Sequence, residues 1–106
     1  MNVNRYFSTE FKLKVGRGGI KAKRHLDWVR GKACVASGFD IGCDAHHVLR
    51  KSQGLNDYAV VPLKHEIHMD VHSKGAHFVE VKYGINMKDA LIATLIERIW
   101  ELENEP

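Results

Sequence analysis

The sequence predicts a small α+β fold, because segments with the period of a strand and segments with the period of a helix follow one another. Short β-prone segments lie in the middle of the chain, and a long amphipathic segment lies near its end. At 106 residues, the chain suits one domain with a modest core. We expect a single domain over residues 1–106, in which a hairpin–helix core follows an N-terminal strand or arm and a helix.

Residues 1–20 are predicted to form a basic strand or extended arm. Apolar side chains fall at odd positions, which is the period of a half-buried strand. These side chains belong to Phe7, Phe11, Leu13 and Val15. The glycine cluster at 16–19 ends the strand, and we interpret it as a connector because no phosphate-loop spacing surrounds it.

A basic helix is predicted at about 21–30. Its apolar residues share one helical face, and Gly31 is a suitable C-terminal cap. Its cationic side chains suit contact with a phosphate backbone. They belong to Lys21, Lys23 and Arg24.

Charge is distributed unevenly along the chain. The net charge is +3, but residues 1–32 carry nine Lys or Arg against two acids, a local charge of +7. Residues 33–106 carry seven against eleven, a local charge of −4. Such a basic block indicates either a polyanionic partner, most often nucleic acid, or an ordinary solvated surface. The sequence has no membrane-length apolar run and no signal-peptide core, so we expect an intracellular protein without a membrane span.

Residues 43–74 are predicted to form a strand, a loop, a second strand and a helix. The segments CDAHHV and AVVPL are β-prone, and Pro62 suits the end or edge of a strand. The helix in KHEIHMDVHSKG is expected to end near Gly75.

A C-terminal helix is predicted at 86–104, with Asn86 as its cap and Asp89 in its first turn. Its apolar residues form a wide stripe that we expect to close the core, and a dimer face is the alternative. The stripe comprises Leu91, Ile92, Leu95, Ile96, Ile99 and Leu102.

Five of the seven histidines lie between residues 46 and 72. His68 and His72 are four residues apart on the predicted helix, so their imidazoles share a face and suit one metal ion. Packing of the hairpin on this helix supplies a third ligand, from either His46 or His47. Side chains alternate along a strand, so the other histidine remains available as a general base for water.

The chain reads CVAS at 34–37, DAHHV at 44–48 and NDYAVVPLKHEIHMDVH at 56–72. This pattern resembles the HNH, or ββα-metal, endonucleases, and is most similar to the phage and prophage group that includes recombination-enhancement nucleases. The resemblance covers roughly residues 20–100. It implies a ββα-metal core at 43–74.

The resemblance also implies the roles of individual residues. The metal ligands are His46, His68 and His72. His47 takes the position of the general base. The residue that orients this base lies in the loop before the second strand, where Asp57 fits best and Asn56 is the alternative. A carboxylate in that position fixes the tautomer of the imidazole and raises its basicity.

The chain departs from many HNH proteins at their structural zinc knuckle. The four ligand positions read Cys34, Ser37, Lys64 and Ile67. Three ligands are therefore missing, so we expect no structural zinc, and we expect both cysteines to be free thiols. A site rebuilt from Cys34, Cys43 and His65 is the alternative. His65 is otherwise expected to cap the helix or contact DNA.

By this resemblance, we expect a metal-dependent DNA endonuclease with a one-metal mechanism, derived from a phage or prophage and linked to recombination or DNA processing. One divalent ion is expected, either zinc at rest or magnesium or manganese during turnover. Arg50 and Lys51 follow the histidine strand and suit phosphate contacts.

The expected setting is the cytoplasm of a bacterial host. The protein is expected to be a monomer or homodimer, with a recombination protein as a possible partner. The alternatives to a nuclease are a non-catalytic, metal-stabilised DNA-binding module and an interaction protein whose histidines cluster by chance.

Overall fold

The computed structural model describes residues 2–40 and 42–106. Within these ranges it contains five α-helices and a two-stranded antiparallel sheet, so the predicted α+β class is confirmed. In chain order the elements are α1 (Thr9–Lys14), α2 (Gly19–Arg30), β1 (Cys43–His47), β2 (Val60–Lys64), α3 (His65–Lys74), α4 (Ala76–Tyr83) and α5 (Met87–Glu103). No helix in the described ranges has the length and apolar character needed to cross a membrane.

The predicted strand, loop, strand and helix are all present between residues 43 and 74. β1 and β2 pair antiparallel, with His46 opposite Val61 and His47 opposite Val60. The carbonyl of Pro62 accepts a hydrogen bond from the Val35 N–H, which lies outside this pair (3.0 Å). Because the nitrogen and oxygen of a strand residue point to the same side, the missing N–H of Pro62 removes no bond to β1.

α3 begins directly after β2 and ends where the sequence pattern predicts, at Gly75. This glycine has a φ of +94°, a conformation that disfavours other residues, and it turns the chain into α4. The sequence pattern does not predict α4. The apolar residues of its segment AHFVEVKY do not share one helical face. In the structure, Val79 is buried while Phe78 and Val81 are exposed.

The core lies between the sheet and the helices that cover it. Its buried members are Cys34, Cys43, Leu49, Ala59, Val61, Leu63, Ile67, Val79, Met87 and Leu91. Both cysteines are free thiols packed in this cluster. The sulfur of Cys34 accepts the Ser37 N–H (3.5 Å), and Ile67 fills the same core. Cys34 and Ile67 are therefore both packed in the hydrophobic core.

The expectation that the whole apolar stripe of α5 closes the core is wrong. Leu91 is buried and Leu95 packs against the core. The other four side chains are 47–61% exposed. They belong to Ile92, Ile96, Ile99 and Leu102. A two-stranded sheet is too narrow to cover a stripe of this width, so only one edge of the stripe is buried.

The predicted N-terminal strand is also wrong, because residues 9–14 form α1. The side chain of Ser8 caps this helix by accepting the Phe11 N–H (3.2 Å). The rings of Phe7 and Phe11 pack with centroids 4.6 Å apart. Apolar residues at 7, 11 and 15 fit a spacing of four as well as a spacing of two, and the cap favours the helix.

Candidate metal centre and active site

The adjacent histidines of β1 are directed to different surroundings by the alternation of the strand. His46 is 8% exposed and its ring meets the rings of His68 and His72, with centroids 5.1 and 6.3 Å away. The side chain of His47 is 38% exposed and meets Asp57 instead. One strand therefore supplies a buried imidazole, that of His46, to a cluster of three histidines and the next imidazole to a solvent-accessible pair.

Three imidazoles converge in this structure. Ligand nitrogens of His46, His68 and His72 all lie within 4.8 Å of one another. The Nε2 atoms of His68 and His72 are 3.1 Å apart. Two nitrogens on one tetrahedral zinc ion, each about 2.0–2.1 Å from the metal, are about 3.3–3.4 Å apart. The donor set and its spacing therefore fit a divalent metal that accepts nitrogen ligands.

The electrostatics of His46 suit a metal ligand. Burial and the neighbouring imidazoles of His68, His72 and His47 lower the pKa of His46 to about 4. The ring is therefore neutral near pH 7, which leaves a nitrogen lone pair free to bind a metal.

Asp44 is a residue of the site that the sequence reasoning missed. Its Oδ2 accepts hydrogen bonds from Nδ1 of His68 (2.9 Å) and Nδ1 of His65 (2.7 Å). These bonds, led by the one from His68, lower the pKa of Asp44. With its Nδ1–H donated to Asp44, His68 keeps an unprotonated Nε2 directed at the other imidazoles. A signal for this residue exists, because Asp44 precedes His46 by two positions and so shares its side of β1.

The Asp44 contact also accounts for His65. This side chain is exposed and bonded to the Asp44 carboxylate, and it lies outside the three-imidazole cluster. Among the described residues, no group of metal ligands joins His65 to Cys34 and Cys43.

His47 pairs with a carboxylate. Its Nε2–H donates to Oδ1 of Asp57 at 2.9 Å, which leaves Nδ1 as the unprotonated nitrogen. Asn56 does not contact this imidazole. Its side chain donates to the Val15 carbonyl and accepts the Tyr58 N–H, both at 2.9 Å. Of the two predicted orienting residues, Asp57 is thus the one in contact with His47.

The glycine-rich segment 16–19 contributes to this pair and is more than a connector. The Asp57 N–H donates to the Gly16 carbonyl (2.8 Å), and the Gly18 N–H donates to Asp57 Oδ2 (3.1 Å). Gly16 lies so close to Asn56 that a Cβ on it would come within 1.9 Å of the amide oxygen. The two oxygens of Asp57 therefore connect this loop to His47.

The predicted nucleic-acid contacts lie on α2 and on the segment that follows β1. On α2, Lys21 and Arg24 border a cavity together. Lys23 instead pairs with Asp27 (2.6 Å) on the same helix. Arg50 and Lys51 lie exposed in the loop that follows β1. Lys21 and Arg24 are therefore the cations of α2 that remain available to a ligand in that cavity.

Comparison of the chain with protein-family models, curated proteins and solved structures finds no match. The resemblance to HNH endonucleases is therefore supported by the quoted residues alone.

Proposed function

We propose that this protein is a metal-dependent DNA endonuclease of the HNH, or ββα-metal, class that hydrolyses phosphodiester bonds with one metal ion. The observation that carries the proposal is the division of two adjacent histidines on β1. His46 joins the imidazoles of His68 and His72, while His47 pairs with Asp57. A metal-binding group and a general base are the two parts that such a hydrolysis needs.

In the proposed mechanism, His47 takes the proton from the attacking water. Asp57 holds Nε2–H of this imidazole, so Nδ1 is the nitrogen that accepts the proton. Asp57 also stabilises the imidazolium that forms, because its negative charge lies directly against the ring. The backbone of Gly16 and Gly18 holds this carboxylate in turn, so the base has a fixed direction.

His46, His68 and His72 are the proposed metal ligands, and Asp44 fixes the ring of His68. A divalent ion bound there supplies Lewis acidity, which stabilises charge on a phosphate oxygen and on the leaving oxygen. Three neutral imidazoles favour zinc or a similar transition metal over magnesium, which prefers oxygen ligands.

The cations in the first third of the chain support DNA as the substrate. Residues 1–32 carry a local charge of +7. Within them, Arg17 lies between Gly16 and Gly18 and is therefore next to the backbone that contacts Asp57. A basic segment whose backbone contacts Asp57 favours a polyanionic substrate. By the resemblance, the substrate belongs to DNA recombination or processing in a phage or prophage.

A supercoiled-plasmid assay tests this function. Purified protein is incubated with magnesium, manganese, zinc or EDTA, beside His47→Ala and the control His77→Ala, which changes an exposed histidine on α4. We expect metal-dependent nicking by the parent and by His77→Ala. We expect loss of nicking by His47→Ala that still binds metal and melts at the parent temperature.

The opposite outcome is also informative. DNA binding without cleavage under every metal, with His47→Ala equal to the parent, would refute the nuclease function. It would leave a metal-stabilised DNA-binding module as the function.

A further inference from the structure

A cavity of about 360 Å³ opens between α2 and α5. Its apolar wall is formed by Leu95, Ile99 and Leu102 of α5. Tyr58 and His25 line it as well, and their rings lie with centroids 5.0 Å apart. The volume falls at the lower end of the range for small-molecule sites, about 300–1,000 Å³. The space therefore suits a small ligand with a flat apolar part.

His25 is an unusual residue to line such a cavity. It is 1% exposed, and neither of its ring nitrogens has a well-formed hydrogen bond among the described residues. The Tyr58 backbone lies close enough to favour the protonated ring, but burial outweighs this and lowers the pKa of His25. A neutral imidazole offers one donor and one acceptor, and leaving both unpaired in the interior is costly. Both nitrogens are buried, so His25 packs behind the cavity while Tyr58, which is partly exposed, forms its aromatic surface.

Three cations surround the same cavity. Lys21 and Arg24 come from α2 and Arg98 from α5, and no carboxylate is among the described residues that line it. The ligand is therefore expected to carry negative charge beside its flat part.

The cavity also shares two lining residues with a second cavity beside the glycine-rich segment. A neighbouring cavity of about 390 Å³ shares Lys21 and Tyr58 as walls and is lined by Gly16 and Gly18. These glycines bond the backbone and carboxylate of Asp57. A chain that runs from His47 along the glycine-rich segment would thus reach the cavity beside His25.

We propose that this cavity binds one unpaired nucleotide, with its base against Tyr58 and the apolar wall of α5 and its phosphate on Lys21, Arg24 and Arg98. The assignment deepens the proposed nuclease function, on which it rests, by naming a strand with an unpaired nucleotide beside the cleavage site as the substrate. Unpaired bases are bound in proteins by aromatic faces together with cations along the backbone, and this cavity has both. A site for a small inorganic anion would not need the apolar wall of this cavity.

Tryptophan fluorescence provides the first test. The ring of Trp28 lies 6.0 Å from that of His25, and the chain has two tryptophans, so a Trp100→Phe background leaves Trp28 as the single reporter. The full chain in EDTA is titrated with deoxyadenosine monophosphate, deoxyadenosine or deoxyribose 5-phosphate. We expect the monophosphate to bind at least about tenfold more tightly than either fragment, because stacking and charge both contribute. Equal binding of the sugar phosphate would overturn the assignment.

Variants locate the binding in the cavity. Arg98→Gln changes an α5 cation, and Tyr58→Leu removes the aromatic surface of the cavity. Each is expected to weaken monophosphate binding by about tenfold. Lys88→Gln, which changes an exposed lysine of the same helix outside the cavity, is expected to have no effect. Melting curves establish that each variant folds. Equal affinities in Arg98→Gln and Lys88→Gln would refute the location.

A second arm separates a nucleotide within DNA from a free nucleotide. Labelled duplexes with and without one unpaired adenine are titrated in EDTA, where the metal-dependent reaction does not occur. Preference for the unpaired adenine that disappears in Arg98→Gln supports the proposal. Binding of the free monophosphate without such a preference overturns the assignment to a DNA strand. Plasmid nicking is scored separately, so loss of nuclease activity and loss of nucleotide binding are distinguishable.

Discussion

Replacement of Gly16 by alanine is expected to destabilise the protein through one steric conflict. Gly16 has a φ of +73°, and a Cβ there would lie 1.9 Å from Oδ1 of Asn56. The left-handed backbone costs a non-glycine residue about 1–2 kcal/mol. Moving Asn56 breaks its bonds to Val15 and Tyr58, each contributing about 0.5–1.5 kcal/mol. The free energy of unfolding should therefore fall by about 2–5 kcal/mol.

Gly38→Ala is the matched control for this experiment. Gly38 has a similar φ of +75°, but a Cβ there meets nothing within 4 Å. The free energy of unfolding of Gly38→Ala should therefore fall only by the cost of the left-handed backbone, about 1–2 kcal/mol. Urea unfolding of both variants and the parent gives the comparison, provided that the slopes agree. Equal losses in Gly16→Ala and Gly38→Ala would refute the reasoning, because the contact with Asn56 would then contribute nothing.

Three further predictions concern the site. Asp44→Asn should lower zinc affinity about 10–100-fold because the ring of His68 loses its charged partner, whereas His65→Ala should leave it nearly unchanged; competition with a chelating dye measures both. Asp57→Asn should lower kcat about 10–100-fold with KM nearly constant, and an equal fall in both parameters would contradict an orienting role. In metal-free protein, the free energy of unfolding should fall by up to about 3 kcal/mol as pH falls from 6.5 towards 4, because the unfolded chain then binds a proton that folded His46 does not. Urea unfolding of His46→Gln should show a weaker dependence on pH.

Local patterns were sufficient to predict most of the regular structure. The apolar face with Gly31 predicts α2, the period-two segments predict β1 and β2, and the Asn86 cap predicts the start of α5. At the N-terminus, two periods fit the same residues, and only the Ser8 cap separates them. The extent to which the stripe of α5 is covered depends on the width of the sheet, which no local pattern contains.

The same distinction holds for the candidate site. The spacing of His68 and His72 and the alternation along β1 are local, so a third imidazole from His46 or His47 could be predicted, and the resemblance indicated His46. The same alternation puts Asp44 on the side of β1 that carries His46, so Asp44 could have been predicted as well. The bond from Gly18 to Asp57 joins residues 39 positions apart, so neither periodicity nor composition could anticipate it. The unpaired nitrogens of His25 arise from tertiary packing, in part against Tyr58, and no local pattern predicts them.

The contact between the glycine-rich loop and Asp57 has a consequence for the order in which the protein becomes functional. The bonds from Gly18 and Gly16 to Asp57 span 39 and 41 residues. The cluster of His46, His68 and His72 instead forms within the hairpin and the helix that follows it. Closing a longer loop costs more entropy, so non-local contacts of this kind form late in folding. A chain that has assembled only residues 43–74 would hold the three imidazoles together while His47 still lacked a fixed partner. In the proposed nuclease, hydrolysis would then begin only after the glycine-rich segment had bonded Asp57.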